Sequence, residues 1–181
     1  RALYKLEELD KRFRLLSEVR YVLELGGAPG GWTQYVEQKI PKSGKLITVD
    51  PLDVKTGENS IHICGFVGSD RVDRQIDEIL NGRRIDIVLS DMAPNMSGIR
   101  EYDQAESMKL NFLTIDMVKR HLKNNGTSVL KTFQSPEITN LVEEMKNSFS
   151  SVRIVKPAAS RKESSEVYIV AQGFRSMGSP S

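Results

Sequence analysis

The chain reads as an α/β protein, a mostly parallel sheet with helices on both faces. Three observations say so. The apolar runs at 22–25, 85–89 and 167–171 are short and nearly continuous, as strands buried on both faces are. Stretches with apolar residues at three-to-four spacing alternate with them. A Gly-rich turn, Gly26-Gly27-Ala28-Pro29-Gly30-Gly31-Trp32, directly follows the first run, where open α/β sheets keep their ligands.

The elements follow in order. Residues 2–16 are expected to be helical, because Leu6, Leu9, Phe13 and Leu16 form one stripe. Lys5 lies off that stripe. Tyr21–Leu25 is the first strand and Trp32–Lys39 the helix behind the turn. Leu46–Val49, ending at Asp50, and Ser60–Cys64 are the next strands. Val72, Ile76, Ile79 and Leu80 mark a helix before the strand Ile85–Leu89, which ends at Ser90-Asp91. The longest helix spans 104–122, with Leu110, Leu113, Met117 and His121 on one side and Asn124-Asn125-Gly126 as its stop. Ser128–Phe133 is the fifth strand, and a helix starts near Pro136. Val152–Val155 and Val167–Ala171 are the last strands, around a polar loop at 157–165. A single domain over 1–175 is expected, with 176–181 as a disordered tail. The first residue is Arg1 rather than a methionine, so further residues upstream are expected.

Composition narrows the class. With 39% apolar and 28% charged residues over 181 positions, the chain suits a soluble globular domain, with no run long enough to span a bilayer and no signal-peptide pattern. One cysteine, Cys64, excludes an internal disulfide and a cysteine-rich zinc site. With only His62 and His121 besides, no metal is expected. A reducing cytoplasm and a monomeric state fit. Net charge is only +2, yet the ends are basic. Residues 1–20 carry Arg1, Lys5, Lys11, Arg12, Arg14 and Arg20 against four acids, and 153–175 carry Arg153, Lys156, Arg161, Lys162 and Arg175 against two. Brought to one face, they would hold a phosphate backbone; apart, they are solvated surface.

The turn at 26–32 lets a ligand approach the backbone, and the helix behind it offers free N–H groups. Asp50 closes the next strand, 24 residues after Gly26, where an acid can accept both ribose hydroxyls of an adenosine. Ala28 and Pro29 break a dinucleotide fingerprint, and no G-K-[ST] follows for a P-loop. S-adenosylmethionine has the ribose and adenine without a pyrophosphate and suits this turn better.

Four ionisable residues sit at ends or edges of elements: Lys5, Asp91, Lys131 and Glu166. Each alone has a plain structural reading, as a helix-surface lysine, a turn acid before Pro94, a sheet-end lysine and a surface acid. Lys131 is the most demanding, since a lysine inside an apolar strand is costly unless paired. Together the four suit proton transfer from a ribose hydroxyl during methyl transfer. Lys131 is the candidate general base, with Lys5, Asp91 and Glu166 as positioning groups. Burial and a neighbouring ammonium lower a lysine pKa while carboxylates raise it, and sequence does not decide between them. Base-amine methylation fits worse, because the turn Asp91-Met92-Ala93-Pro94-Asn95 has no aromatic to stack on a base. Ring-carbon methylation would need a nucleophilic cysteine, and Cys64 reads instead as a small buried apolar residue.

These residues lie in stretches that resemble the FtsJ/RrmJ-type RNA ribose 2′-O-methyltransferases over nearly the whole chain. The similar stretches are 1–6, 25–32, Leu89-Ser90-Asp91-Met92-Ala93-Pro94-Asn95-Met96-Ser97-Gly98, Lys131-Thr132-Phe133-Gln134, and Ser160-Arg161 through Glu166-Val167-Tyr168. The resemblance implies a Rossmann-like seven-stranded sheet with an antiparallel last strand. It implies a Lys-Asp-Lys-Glu tetrad at Lys5, Asp91, Lys131 and Glu166. It also implies S-adenosylmethionine contacts from the turn (Gly26, Gly30 and Trp32), from Asp50 and from Asp91, and large-subunit ribosomal RNA, at a uridine, as substrate. One departure stands out. Cys64-Gly65-Phe66-Val67 occupies the place where the family commonly has an acid near the adenine, leaving backbone or Asp70 for that contact. Relatives act on ribosomal RNA, transfer RNA or messenger RNA caps; the lack of added domains favours ribosomal RNA or a ribosomal particle. Methylation of transfer RNA, a small-molecule or protein hydroxyl acceptor, and a non-catalytic RNA-binding subunit of the same fold are the rivals.

Overall fold

Seven strands form one sheet in the order β3-β2-β1-β4-β5-β7-β6 in a computed structural model that describes residues 2–176. The strands are β1 (Tyr21–Leu25), β2 (Lys45–Asp50), β3 (Ser60–Cys64), β4 (Ile85–Ser90), β5 (Leu122–Phe133), β6 (Phe149–Val155) and β7 (Glu166–Phe174). The helices are α1 (Ala2–Phe13), α2 (Gly31–Lys39), α3 (Asp70–Leu80), α4 (Arg100–His121) and α5 (Ile138–Lys146). β1 to β5 pair in parallel, and β7 runs antiparallel to both β5 and β6. This is the doubly covered sheet with a reversed last strand that the sequence leads one to expect. Of the tail at 176–181 only Ser176 is described, its N–H donating to Asn124 Oδ1 at 3.0 Å. Arg1 and 177–181 lie outside the described residues.

Successive residues of a strand point to opposite faces, and the two cores sort accordingly. Val22, Leu46, Leu89, Val129, Tyr168 and Val170 pack with Leu6 and Leu9 of α1 and Trp32 and Val36 of α2. Leu23, Ile47, Val88, Leu130 and Ile169 pack on the other face with α3, α4 and α5. No helix among the described residues is long and apolar enough to cross a membrane.

Several expectations shift. The first helix ends at Phe13 because Arg14 takes a left-handed conformation (φ 54°), although Leu16 is still buried in the following turn. The longest helix starts earlier, at Arg100, and stops at His121. Asn124-Asn125-Gly126 is not its cap: Leu122 is already extended, and the three residues lie within β5, where pairing with β4 jumps from Ile85↔Leu122 to Ile87↔Thr127 and Asn125 turns left-handed (φ 64°). The tolerance of Asn and Gly for that conformation serves a bulge here. The expected apolar stripe of α4 is also displaced. Leu110 and Leu113 are half-buried beside a cavity, while the buried side of the N-terminal half carries Asp103, Ser107, Asn111 and Thr114. Cys64 is exposed rather than buried, because edge strand β3 ends there; its thiol donates to Pro51 O at 3.4 Å.

Candidate active site

Strand parity decides which residues meet. Asp91 follows Leu89 by two, Lys131 follows Val129 by two, and Glu166 precedes Tyr168 by two. Leu89, Val129 and Tyr168 all face α1 and α2. The antiparallel register of β5 and β7 sets Lys131 opposite Tyr168 and Phe133 opposite Glu166, so the start of β7 returns to the rim where β4 and β5 end. Helix α1 then lays Lys5 on that rim.

The four groups converge. Lys5 Nζ donates to Glu166 Oε1 at 2.7 Å. Lys131 Nζ lies 3.5 Å from Asp91 Oδ1 and 4.0 Å from Glu166 Oε2. Each of the four side chains is largely buried. The Tyr168 hydroxyl lies 3.0 Å from Asp91 Oδ1 and 3.2 Å from Glu166 Oε1, so its single proton is shared between the two carboxylates. Its ring packs on Trp32 at 5.7 Å between centroids.

The two acids respond oppositely. Burial pushes Asp91 above its ordinary value, against the Lys131 charge and the Tyr168 hydrogen bond. Burial would raise Glu166 as well, but the Lys5 hydrogen bond and the charges of both lysines outweigh it and hold that carboxyl below the usual range. Burial and the adjacent carboxylates raise Tyr168, so it stays a protonated donor.

Beside the tetrad opens a cavity of about 650 Å³, lined by Gly26, Ala28, Asp50 and Asp91 among others. Asp50 is held by backbone: Oδ2 accepts from Ala28 N at 2.9 Å and Oδ1 from Leu52 N at 2.8 Å. Each oxygen keeps lone-pair capacity for a vicinal diol. Gly26 (φ +80°) is left-handed, and a Cβ there would stand 2.8 Å from Met92 Cγ. A Cβ on Gly27 would stand 2.0 Å from Thr48 Oγ1 and 2.8 Å from Glu24 Oε1. The residues present therefore fit an adenosine cofactor: a diol-binding acid, a close-approach loop and an adjoining apolar recess.

The remaining expected residues sit apart from this cavity. Gly30 caps α2 and lines a neighbouring recess with Gln34 and Lys55. The Trp32 indole is buried and donates to Ala2 O at 2.8 Å, tying α1 to α2. Asp70 stands in the first turn of α3 and does not line the cavity. No cluster of metal-ligating side chains occurs among the described residues. The basic ends do meet, since Glu8 of α1 accepts from Ala158 N and Ala159 N of the 157–165 loop at 2.8 and 3.2 Å.

Two groups escape a reading of sequence alone. Glu24, inside β1, is fully buried beneath Gly27; Thr33 Oγ1 donates to its Oε1 at 2.5 Å, and burial drives its carboxyl to about 7 despite the Thr33 and Thr48 hydroxyls. Asp103 pins the loop after β4, accepting from Ser97 N at 2.9 Å, Ser97 Oγ at 2.7 Å and Gly98 N at 3.2 Å. The signal for Glu24 was its parity with Val22; Asp103 carried none, because its partners lie in an irregular loop.

Known proteins resemble this chain in sequence and fold. The FtsJ-like methyltransferase family matches residues 1–174. Ribosomal RNA large subunit methyltransferase E of Hahella chejuensis is 43% identical over 178 residues, spanning 97% of this chain and 85% of that protein. The protein of the same name from Stutzerimonas stutzeri is 41% identical over 175 residues, with 97% and 85% covered. A crystal structure of a ribosomal RNA methyltransferase from Plasmodium falciparum superposes with a TM-score of 0.84 at 31% identity, over 96% of this chain and 97% of that one. The sheet order and these likenesses agree, and the chain belongs to the FtsJ-like methyltransferase family.

Proposed function

We propose that this protein transfers a methyl group from S-adenosylmethionine to a ribose 2′-hydroxyl of RNA, with large-subunit ribosomal RNA as substrate and a uridine, as the resemblance implies, as the acceptor. The observation that carries the reading is the meeting of Lys5, Asp91, Lys131 and Glu166 on one rim, beside a cavity whose Asp50 is shaped for a diol. The names of the relatives from Hahella chejuensis and Stutzerimonas stutzeri support ribosomal RNA.

The cofactor, when bound, supplies a methyl group made electrophilic by a positively charged sulfur. Asp50 holds its ribose, and Gly26 and the backbone of the turn admit its chain. Gly30 and Trp32 act from outside that cavity, Gly30 as the cap that sets the start of α2 and Trp32 as the wall that carries Tyr168. Lys131, in its neutral form, takes the proton of the 2′-hydroxyl as that oxygen is alkylated. Asp91 and Glu166 hold the Lys131 amine from two sides, which fixes its direction. Glu166 also anchors Lys5, which leaves the remaining N–H donors of Lys5 for the acceptor oxygen. Tyr168 bridges the two carboxylates and keeps them apart in one geometry. Arg161 and Lys162, on the loop that Glu8 pins to α1, extend a basic rim for the RNA backbone.

The test is transfer of labelled methyl groups to ribosomal particles, free ribosomal RNA and transfer RNA, followed by digestion to nucleosides. The expected result is one 2′-O-methylated nucleoside in large-subunit RNA. Label in a base, in transfer RNA alone, or in no RNA overturns the reading in favour of, respectively, base methylation, a transfer RNA enzyme, or a non-catalytic or non-RNA role.

A further inference from the structure

Much of the cavity wall is apolar, with Leu52, Phe66, Val67, Met92 and Leu113 among its lining residues. Phe66 and Leu52 are 72% and 68% exposed, the most of any exposed large apolar side chains among the described residues, and both stand on this one cavity. Large apolar groups left in water beside a recess mark a place that something covers. Their backbones are fixed. Leu52 N donates to Asp50 Oδ1, Gly65 N donates to Asp50 O at 3.2 Å, and Phe66 O accepts from Ser69 N at 3.3 Å, one residue before α3 begins. The two side chains are therefore presented by anchored turns at a constant offset from the acid proposed for the ribose.

What this wall lacks is as informative as what it has. The carboxylates lining the cavity are Asp50, Asp91 and Glu106. Asp50 is bound to the turn, Asp91 faces Lys131, and Glu106 pairs with Lys109 at 3.0 Å. Gly65, Phe66 and Val67 contribute no side-chain acceptor, Asp70 is off the cavity, and the other polar side chains on the lining, Asn95 and Tyr102, are not acids. A 6-amino group on a purine placed here has no side-chain acid to read it.

We infer that Phe66 and Leu52 form an apolar clamp on the cofactor's adenine, so that this protein holds the base by its faces and reads its 6-amino group through no side-chain acid. Stacking is tolerant of ring substituents because every base has a π-face, whereas a buried acceptor left without its donor penalises the analogue that lacks it. The inference rests on the cofactor reading above and adds to it which part of the ligand is read and which is not.

Calorimetric binding of S-adenosylhomocysteine and its 6-deamino counterpart to the whole protein tests it. Wild type is expected to bind the two within about threefold, since no charged hydrogen bond to a side-chain acid is lost. Phe66→Ala should weaken both by about tenfold or more, the size of a lost base–aromatic contact, while Phe66→Leu keeps most of the affinity. Phe66→Asp should create a preference for the amino form. Circular dichroism on each variant separates loss of binding from loss of fold. A tenfold or greater loss for the deamino analogue on wild type, or unchanged affinity in folded Phe66→Ala, overturns the clamp and leaves the cofactor reading standing. No binding of S-adenosylhomocysteine to folded wild type overturns the cofactor reading, and the clamp with it.

Discussion

Asp50 and Lys131 lie on the same edge of one sheet but are held by opposite means. Asp50 takes its geometry from the backbone N–H groups of Ala28 and Leu52. Around Lys131 the partners are side chains from other elements, Asp91 at the end of β4 and Glu166 at the start of β7, with Lys5 of α1 behind Glu166. A backbone-held acid keeps its position whatever its neighbours do. A lysine held by carboxylates keeps its position only while those carboxylates keep their charge. The side proposed for the cofactor is therefore built for rigidity, and the tetrad for a response to protonation.

Substitutions on the two sides should separate binding from chemistry. The largest effect is expected for Lys131→Ala, with single-turnover transfer falling by about 10²–10⁴-fold, the usual share of a general base, while the calorimetric affinity for S-adenosylhomocysteine stays within a few-fold. Equal losses in both would place Lys131 in cofactor binding and erase the contrast. Asp50→Ala should do the reverse, weakening the cofactor by about tenfold to a hundredfold, as charged hydrogen bonds of this kind are worth, with the maximal rate at saturation little changed. A next smaller effect concerns Glu24, whose carboxyl is raised from 4.5 to about 7. The folded state binds its proton more tightly than the unfolded chain does. Its contribution to stability is complete below about 4.5 and is lost as pH rises through about 7. Thermal melts from pH 5 to pH 8 should show wild type losing ground to Glu24→Gln, by several degrees if about 1 kcal/mol is at stake; parallel curves would mean that the acid is ionised throughout. The smallest effect is expected for Tyr168→Phe. Removing a hydroxyl that bridges two acids already held by lysines should cost less than about tenfold in rate, read as a change in the rate's pH profile rather than in cofactor affinity.

The same contrast explains what could be read from sequence. Gly26, Gly27 and Asp50 announce themselves because turn chemistry is local, with strand, glycines and acid at fixed spacing. Lys131 announces itself because a lysine conflicts with the strand around it. The company it keeps was accessible through parity: Asp91, Lys131 and Glu166 each sit two residues from an apolar residue facing α1. Glu24 obeys the same parity with Val22 and was missed because its partners, Thr33 and Thr48, are inconspicuous alone. The N-terminal half of helix α4 defies its pattern because Leu110 and Leu113 line a cavity while polar residues are buried, Asn111 donating to Thr132 Oγ1 at 2.8 Å. Periodicity reports which residues share a side, not whether that side meets a core, a loop or a ligand. The bulge at 124–126 was misassigned for a related reason, since a left-handed Asn serves a helix end and a strand irregularity equally well.

The reversed strand β7 has a consequence for how the molecule comes into being. Among the described residues Glu166 is the only acid that touches both lysines, and it lies 161 positions after Lys5. Synthesis runs from the amino end, so the glycine turn, Asp50 and even Lys131 emerge well before their last companion. A nascent or prematurely terminated chain can carry the cofactor half of the sheet without owning a finished catalytic rim. On the role proposed for the tetrad, competence arrives only with β7, and truncated products are expected to be silent rather than half active.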